Sequence, residues 1–397
     1  MTLANGFFPE VFSAILQGKL YKTMLKKSLT LVAAAFLLSG CTIQLPFSVP
    51  TPAGSEQPTD VFGKKIQAGS VWKSTDSGQT FEVKSRVDET QSITKADVLA
   101  LSFHPNDSNI LYIATADHGI FKSMDAGEYW EQIVFPPKKI YSFILDRNDP
   151  DNRMFASGTI GNLGKIFRTD DGGTEWRAVY TEPGTGVVIT ILAQHPRDTN
   201  VLFAGTSAGT VVKSTDSGET WRNVGGTLDG PITEIAFDAV EPMSIYALSI
   251  NKKIYYSDNG GVNWIDQTQV TNTNQNAPAT TSNGGPDMAL SITADPIVSG
   301  RLYATKNGGL FRTDDFTRTW NKVNIIESAE KFPVRTVVIN PRNSQEIIFS
   351  AGSAFYRSTN GGDTWAVVDL YIDRTVSVLA YDPADSAVIY MALRSIK

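Results

Sequence analysis

An eight-residue phrase, said seven times, decides most of what this chain can become. The copies are STDSGQTF (74–81), SMDAGEYW (123–130), TDDGGTEW (169–176), STDSGETW (214–221), SDNGGVNW (257–264), TDDFTRTW (313–320) and STNGGDTW (358–365). They share the pattern S/T-x-D/N-x-G-x-T-W, and their last positions stand 49, 46, 45, 43, 56 and 45 residues apart. Six of the seven tryptophans occupy that last position, and Phe81 fills it in the first copy. A second unit recurs between the copies: an apolar strand, a polar turn and another strand. Examples are VLALSFHPNDSNILYIAT (98–115), ITILAQHPRDTNVLFAGT (189–206) and VSVLAYDPADSAVIYMAL (376–393). Each copy of the phrase follows a further short strand, such as GIFKSMD, so one period holds four strands, A to D.

A period of roughly 40–50 residues with a turn and an aromatic residue in each unit predicts a β-propeller. The expected fold is all-β, with seven blades, each a four-stranded antiparallel sheet. The first phrase has strands C and D but nothing resembling A and B before it, whereas 376–397 supplies A and B with no C and D after it. Seven whole blades therefore require GSVWKSTDSGQTFEV near the start to pair with the C-terminal strands in one sheet. Such closure removes two unpaired sheet edges.

The acidic residues of the phrase read as turn chemistry. Asp76, Asp125, Asp171, Asp216, Asn259, Asp315 and Asn360 sit where a short side chain can accept backbone N–H groups. Phe81, Trp130, Trp176, Trp221, Trp264, Trp320 and Trp365 offer broad faces for packing on the adjacent sheet. Thr317 replaces the glycine of the pattern, which predicts that the sixth turn is the least regular. His104, His195, Pro105, Pro196, Pro341 and Pro383 hold repeat positions in the A–B turns. Seven copies of one turn build a ring, while catalysis needs one asymmetric constellation.

Composition narrows the function. Lys and Arg total 35 against 41 Asp and Glu, a net of −6, which leaves no basic field for nucleic acid. One cysteine and three scattered histidines argue against a disulfide framework, a metal site or any cofactor. The start of the chain reads as an address. From Met24 the sequence MLKKSLTLVAAAFLLSGC has two lysines, a ten-position apolar stretch at 29–38 and small residues before Cys41. This resembles the lipobox of bacterial lipoproteins, and the resemblance implies cleavage before Cys41 and its acylation. The expected layout is an N-terminal extension (1–23), a signal peptide (24–40), a lipidated tether (41–65) rich in Pro, Ser and Thr, and one propeller domain (66–397). Four lysines and one glutamate precede Cys41, so the remainder carries 31 basic and 40 acidic side chains. The implied location is the bacterial cell envelope, lipid-anchored and extracytoplasmic, with a monomeric body.

The A–B and C–D turns share one face of such a ring, and the B–C and D–A loops share the other. The loops vary most, so the loop face is the expected functional face. Its longest segment, 265–287, is rich in Asn, Thr and Gln and reads as a polar linker or a flap. One register position of the innermost strands holds Leu99, Tyr141, Thr190, Thr233, Leu290, Arg335 and Ser377, and the next includes Glu234. Arg335 and Glu234 break otherwise small or apolar sets. Together with Tyr141 and the loop residues Asp117 and His118, they form the candidate ligand face; the alternative is an ion pair or a wet channel lining.

The repeated phrase resembles the Asp-box, or BNR, family over nearly all of 66–397. That family includes sialidases, xyloglucan-cleaving glycosidases, sortilin-type receptors and photosystem II assembly factors. The resemblance implies either a non-catalytic module that binds a protein or glycan, or a glycoside hydrolase. Hydrolysis needs two facing carboxylates, and no catalytic residue is assigned. Sialidase propellers have six blades and an early Arg-Ile-Pro motif that this chain lacks, and the xyloglucan enzymes work between two propellers. The binding reading is therefore preferred.

Overall fold

The structure is a computed structural model, and it describes residues 68–137, 139–267, 281–282 and 289–395. The readings of 1–23, 24–40 and 41–65, Cys41 included, lie outside the described residues, as does most of the 265–287 segment.

Seven antiparallel sheets form a ring. The innermost strands are Val98–His104, Ile140–Leu145, Ile189–Gln194, Ile232–Phe237, Ser291–Ala294, Val334–Asn340 and Thr375–Tyr381, in blades one to seven. Each touches the next in order, and Thr375–Tyr381 touches Val98–His104, which closes the circle. Burial sets the composition of each layer. The second strands, such as Leu202–Thr206 and Ile245–Ser249, are buried at every position. They are therefore continuous runs of apolar and small residues, as strands covered on both faces must be. The outermost strands, such as Arg222–Thr227, are largely exposed and polar.

The core is divided as the ring is. Seven apolar clusters each join two neighbouring blades. Burying a Leu, Ile or Phe contributes about 1.5–3 kcal/mol, so the blade interfaces supply most of the stabilisation. The interface of blades seven and one is built like the rest: Val71, Tyr390 and Ala392 pack with Leu111, Ile113 and Trp130.

Blade seven joins the two ends of the domain. Val71–Ser74 lies between Glu82–Val83 and Ile389–Arg394, with Trp72 opposite Met391 and Ser74 opposite Ile389. Arg374, which the sequence gave no reason to single out, reinforces this seam. Its guanidinium donates to the Ala96 carbonyl at 2.9 Å, to Thr94 O at 2.6 Å and to Gly69 O. Thr281–Ser282 pairs with Trp320 and Asn321, adding a fifth strand to the outer edge of blade five. A one-turn helix, Glu327–Glu330, lies in the loop from blade five to blade six.

Candidate functional site

The repeated phrase closes on itself. In the fourth copy the Ser214 hydroxyl donates to Asp216 Oδ1 at 2.7 Å and accepts the Gly218 N–H at 2.9 Å. Asp216 accepts the Thr220 N–H at 2.9 Å and the Thr220 hydroxyl at 2.6 Å. The Thr220 hydroxyl and N–H, with help from Ser214, hold its carboxyl at about 2, well below the usual range. Asn259 and Asn360 accept the equivalent N–H groups of Asn263 and Thr364, each at 2.9 Å. Gly218 lies at φ +80°, and a Cβ there would stand 2.6 Å from Phe155 of the preceding blade. The phrase thus needs glycine twice over, for its backbone and for blade packing. The Ser214 hydroxyl, the Asp216 carboxylate and the Gly218 N–H are committed to the turn.

The sixth copy corrects one expectation. Thr317 does not loosen its turn: its N–H reaches Thr313 Oγ1 at 3.1 Å, and Asp315 accepts the Thr319 N–H at 2.9 Å. The cost is taken by the backbone instead. Thr317 sits at φ +69° and Phe316 at φ +57°, a region that disfavours β-branched side chains.

The A–B turns follow a second sevenfold scheme. The residue at the end of each strand A, or the one just after it, accepts the N–H two residues on. His104 and His195 do so through Nδ1 at 3.3 Å. Asp146, Asp238, Asp295, Asn340 and Asp382 do so through a side-chain oxygen at 2.7–2.9 Å. Both histidines are turn residues, as their repeat positions predict.

The register position holding Tyr141 and Arg335 turns out to be a β-bulge. Pairing between strands A and B shifts at this point in blades one, two, three, four, six and seven. A bulge re-aims its side chain, and in blades seven and three it aims toward the next blade. Ser377 Oγ donates to Val98 O at 2.7 Å, and Thr190 Oγ1 donates to Ile232 O. The following position also staples blades: Ser142 Oγ accepts the Leu192 N–H at 3.0 Å. Glu234 occupies that same place in blade four, where its carboxylate accepts the Ile292 N–H at 2.6 Å and the Ser291 hydroxyl at 3.3 Å. Burial pushes the Glu234 carboxyl up to about 7, against the pull of those two bonds. Arg335 does not pair with it. Burial and the neighbouring Arg394 depress the Arg335 guanidinium. No hydrogen bond or ion pair joins any two of Asp117, His118, Tyr141, Glu234 and Arg335 among the described residues.

Asp117 and His118 share the B–C turn of blade one, between Asp107–Thr115 and Gly119–Ser123. The His118 N–H donates to Thr115 Oγ1 at 3.1 Å. Both residues line an open cleft of about 650 Å³, together with Ile93, Lys95, Val134 and Pro136. A second cavity, of about 520 Å³, opens at the other end of the ring, among the A–B turns. Its walls include Phe103, Ile144, Val338 and Leu379. None of the candidate residues read from the sequence lies there, because the positions of those turns repeat from blade to blade. Three or more clustered metal-binding side chains do not occur among the described residues.

No protein-family model matches the chain. A xyloglucanase of Hypocrea jecorina is 27% identical over 148 residues, which is 35% of this chain and 16% of that protein. A probable oligoxyloglucan-reducing end-specific xyloglucanase of Neosartorya fischeri is 25% identical over 239 residues, 51% of this chain and 28% of that protein. The chain thus spans well under a third of the length of these curated relatives. Among solved structures, the GH74 xyloglucanase of Xanthomonas campestris is similar at TM-score 0.58 and 18% identity, covering 76% of this chain and 51% of that one. YCF48 bound to D1 peptide is similar at TM-score 0.57 and 15% identity, covering 75% and 94% respectively. YCF48 from Cyanidioschyzon merolae gives TM-score 0.52 at 16% identity, covering 75% and 96%. The fold is that of the Asp-box propellers. It is shared with both groups, and a fold does not fix an activity.

Proposed function

We propose that the chain is a lipid-anchored, extracytoplasmic propeller that binds a polypeptide partner through its B–C and D–A loop face and performs no hydrolysis. One observation carries the reading. Among the described residues the cleft on the loop face has a single carboxylate, Asp117, beside Lys95, His118, Gln132 and apolar and proline walls, and the cavity at the opposite end has none. Glycoside hydrolysis needs two carboxylates about 5–10 Å apart across a sugar. Apolar walls with a few polar groups suit a peptide segment. The likeness to a propeller solved with a bound peptide supports the same use. Acylation at Cys41 would hold the body at a membrane, since two or more acyl chains give stable anchoring.

The test has two parts. A photo-crosslinking residue at position 118 should yield one discrete adduct in cells, and Val134→Glu should abolish it. Cys41→Ser should remove label from a fatty-acid analogue. The sequence likeness to two xyloglucanases supplies the second reading, a glycan substrate. Release of reducing ends from xyloglucan by the purified protein, lost in Glu234→Gln, would replace the first reading with this one.

A further inference from the structure

In chain order the residues after the A–B caps are Pro105, Arg147, Pro196, Ala239, Pro296, Pro341 and Pro383. Five of them, all but Pro196 and Ala239, line the cavity among the A–B turns. Proline suits the place because it fixes φ and its missing N–H leaves nothing unpaired at the turn. Blade two breaks the pattern with the longest cationic side chain available. Its backbone is accommodated locally, because the Arg147 N–H donates to Gln194 Oε1 at 3.0 Å. Its guanidinium has no such accommodation. Among the described residues no ion pair or side-chain hydrogen bond engages it, in contrast to Arg153, Arg168 and Arg301, each held by carboxylates. Arg147 lines the 520 Å³ cavity, whose other walls include Phe103, Ile144, Val338, Leu379 and turn prolines, with Gln194, Thr293 and Tyr381 between them.

The Arg147 side chain is exposed at the edge of this cavity, and no carboxylate in the lining neutralises it. An anion that brings its own apolar body would pair with the guanidinium and cover the apolar walls at the same time. The cavity lies within the roughly 300–1,000 Å³ range of ordinary ligand sites. We propose that this mouth of the channel binds an organic carboxylate carried on an apolar body, with Arg147 as partner to the anion and the propeller's inner wall around the hydrocarbon. The site lies on the turn face, so it stands independently of the loop-face reading above. Two sources share the chemistry: a free medium-chain acid, or the C-terminal carboxylate of a polypeptide ending in aliphatic residues.

Calorimetric titration of the whole propeller separates them. The probes are octanoate, octanamide, and an acetylated hexapeptide ending in leucine, prepared both as free acid and as amide. At least one acid should saturate, and its amide should bind roughly tenfold more weakly or worse. Arg147→Ala, which installs the residue blade four carries naturally, should weaken the acid by about the same factor and leave amide binding unchanged. Its melting temperature should match the parent, and Arg197→Ala in the next turn should bind as the parent does. Tighter binding of octanoate than of the peptide acid identifies a free acid, and the reverse identifies a chain terminus. Failure of both acids to saturate, or equal affinity in Arg147→Ala, overturns the proposal. Crosslinking at position 118 is unaffected by Arg147→Ala in either case, so this result and the loop-face result can fail separately.

Discussion

The C–D turns and the A–B turns lie on one face and are both sevenfold, yet they spend their side chains differently. In the C–D phrase the Ser or Thr, the Asp or Asn and the glycine are all consumed by the turn and by the blade behind it. In the A–B turn one cap residue does the structural task, and its successor is free to face the channel. Regularity alone therefore does not mark a surface as inert. What matters is how many of the repeated positions the backbone has already claimed.

Four substitutions sharpen that contrast. The largest effect should come from Gly218→Ala, which combines a positive φ with a collision against Phe155. A loss of about 3 kcal/mol is expected in chemical denaturation, and a loss below about 1 would mean that the turn has slack. Asp216→Ala removes the acceptor of two bonds from Thr220 and should cost about 1–2 kcal/mol. Its effect should shrink below about pH 4, because the aspartate's contribution is full above the ordinary carboxylate value and fades as pH falls toward 2. Thr317→Gly should run the other way, raising stability by about 1 kcal/mol by relieving φ +69°; a loss would show that the threonine methyl packs better than the backbone suffers. Glu234→Gln tests the staple in the channel. The folded state holds this proton more tightly than the unfolded chain, so stability is full below the ordinary carboxylate value and declines as pH rises through about 7. The amide keeps an acceptor for Ile292, so the variant should match the parent at pH 5. At pH 8 it should exceed the parent by on the order of 1 kcal/mol, because solvent in the channel screens the charge. Equal melting curves at both values would remove burial as the cause.

The ring was readable because each blade repeats the same local instructions. The phrase sets the C–D turn, the apolar runs set strand B, and the two half-sets at 71–83 and 376–394 dictate the seam. The candidate site was less readable. Alignment of the strands found the position of Tyr141 and Arg335, but a bulge is a backbone event that no side-chain pattern announces. Glu234 looked like a ligand group and serves where Ser142 serves, as a link between blades. Arg147 carried a signal in the sequence all along, as the charged exception in a column of prolines, but that signal acquires meaning only once the column is seen to rim a cavity. Arg374 carried none, since the carbonyls it gathers lie about 280 residues or more away in the chain.

The position of Val71–Ser74 has a mechanical corollary. This strand is an inner member of its sheet, gripped on one side by Ile389–Arg394 and on the other by Glu82–Val83. Tension arriving from upstream of residue 68 is delivered straight to a strand that blade seven needs to be whole. The load is then shared by two ladders of backbone bonds and by the Arg374 clasp. A propeller pulled from its leading end is thus tugged at its buckle, where the Arg374 guanidinium makes four hydrogen bonds.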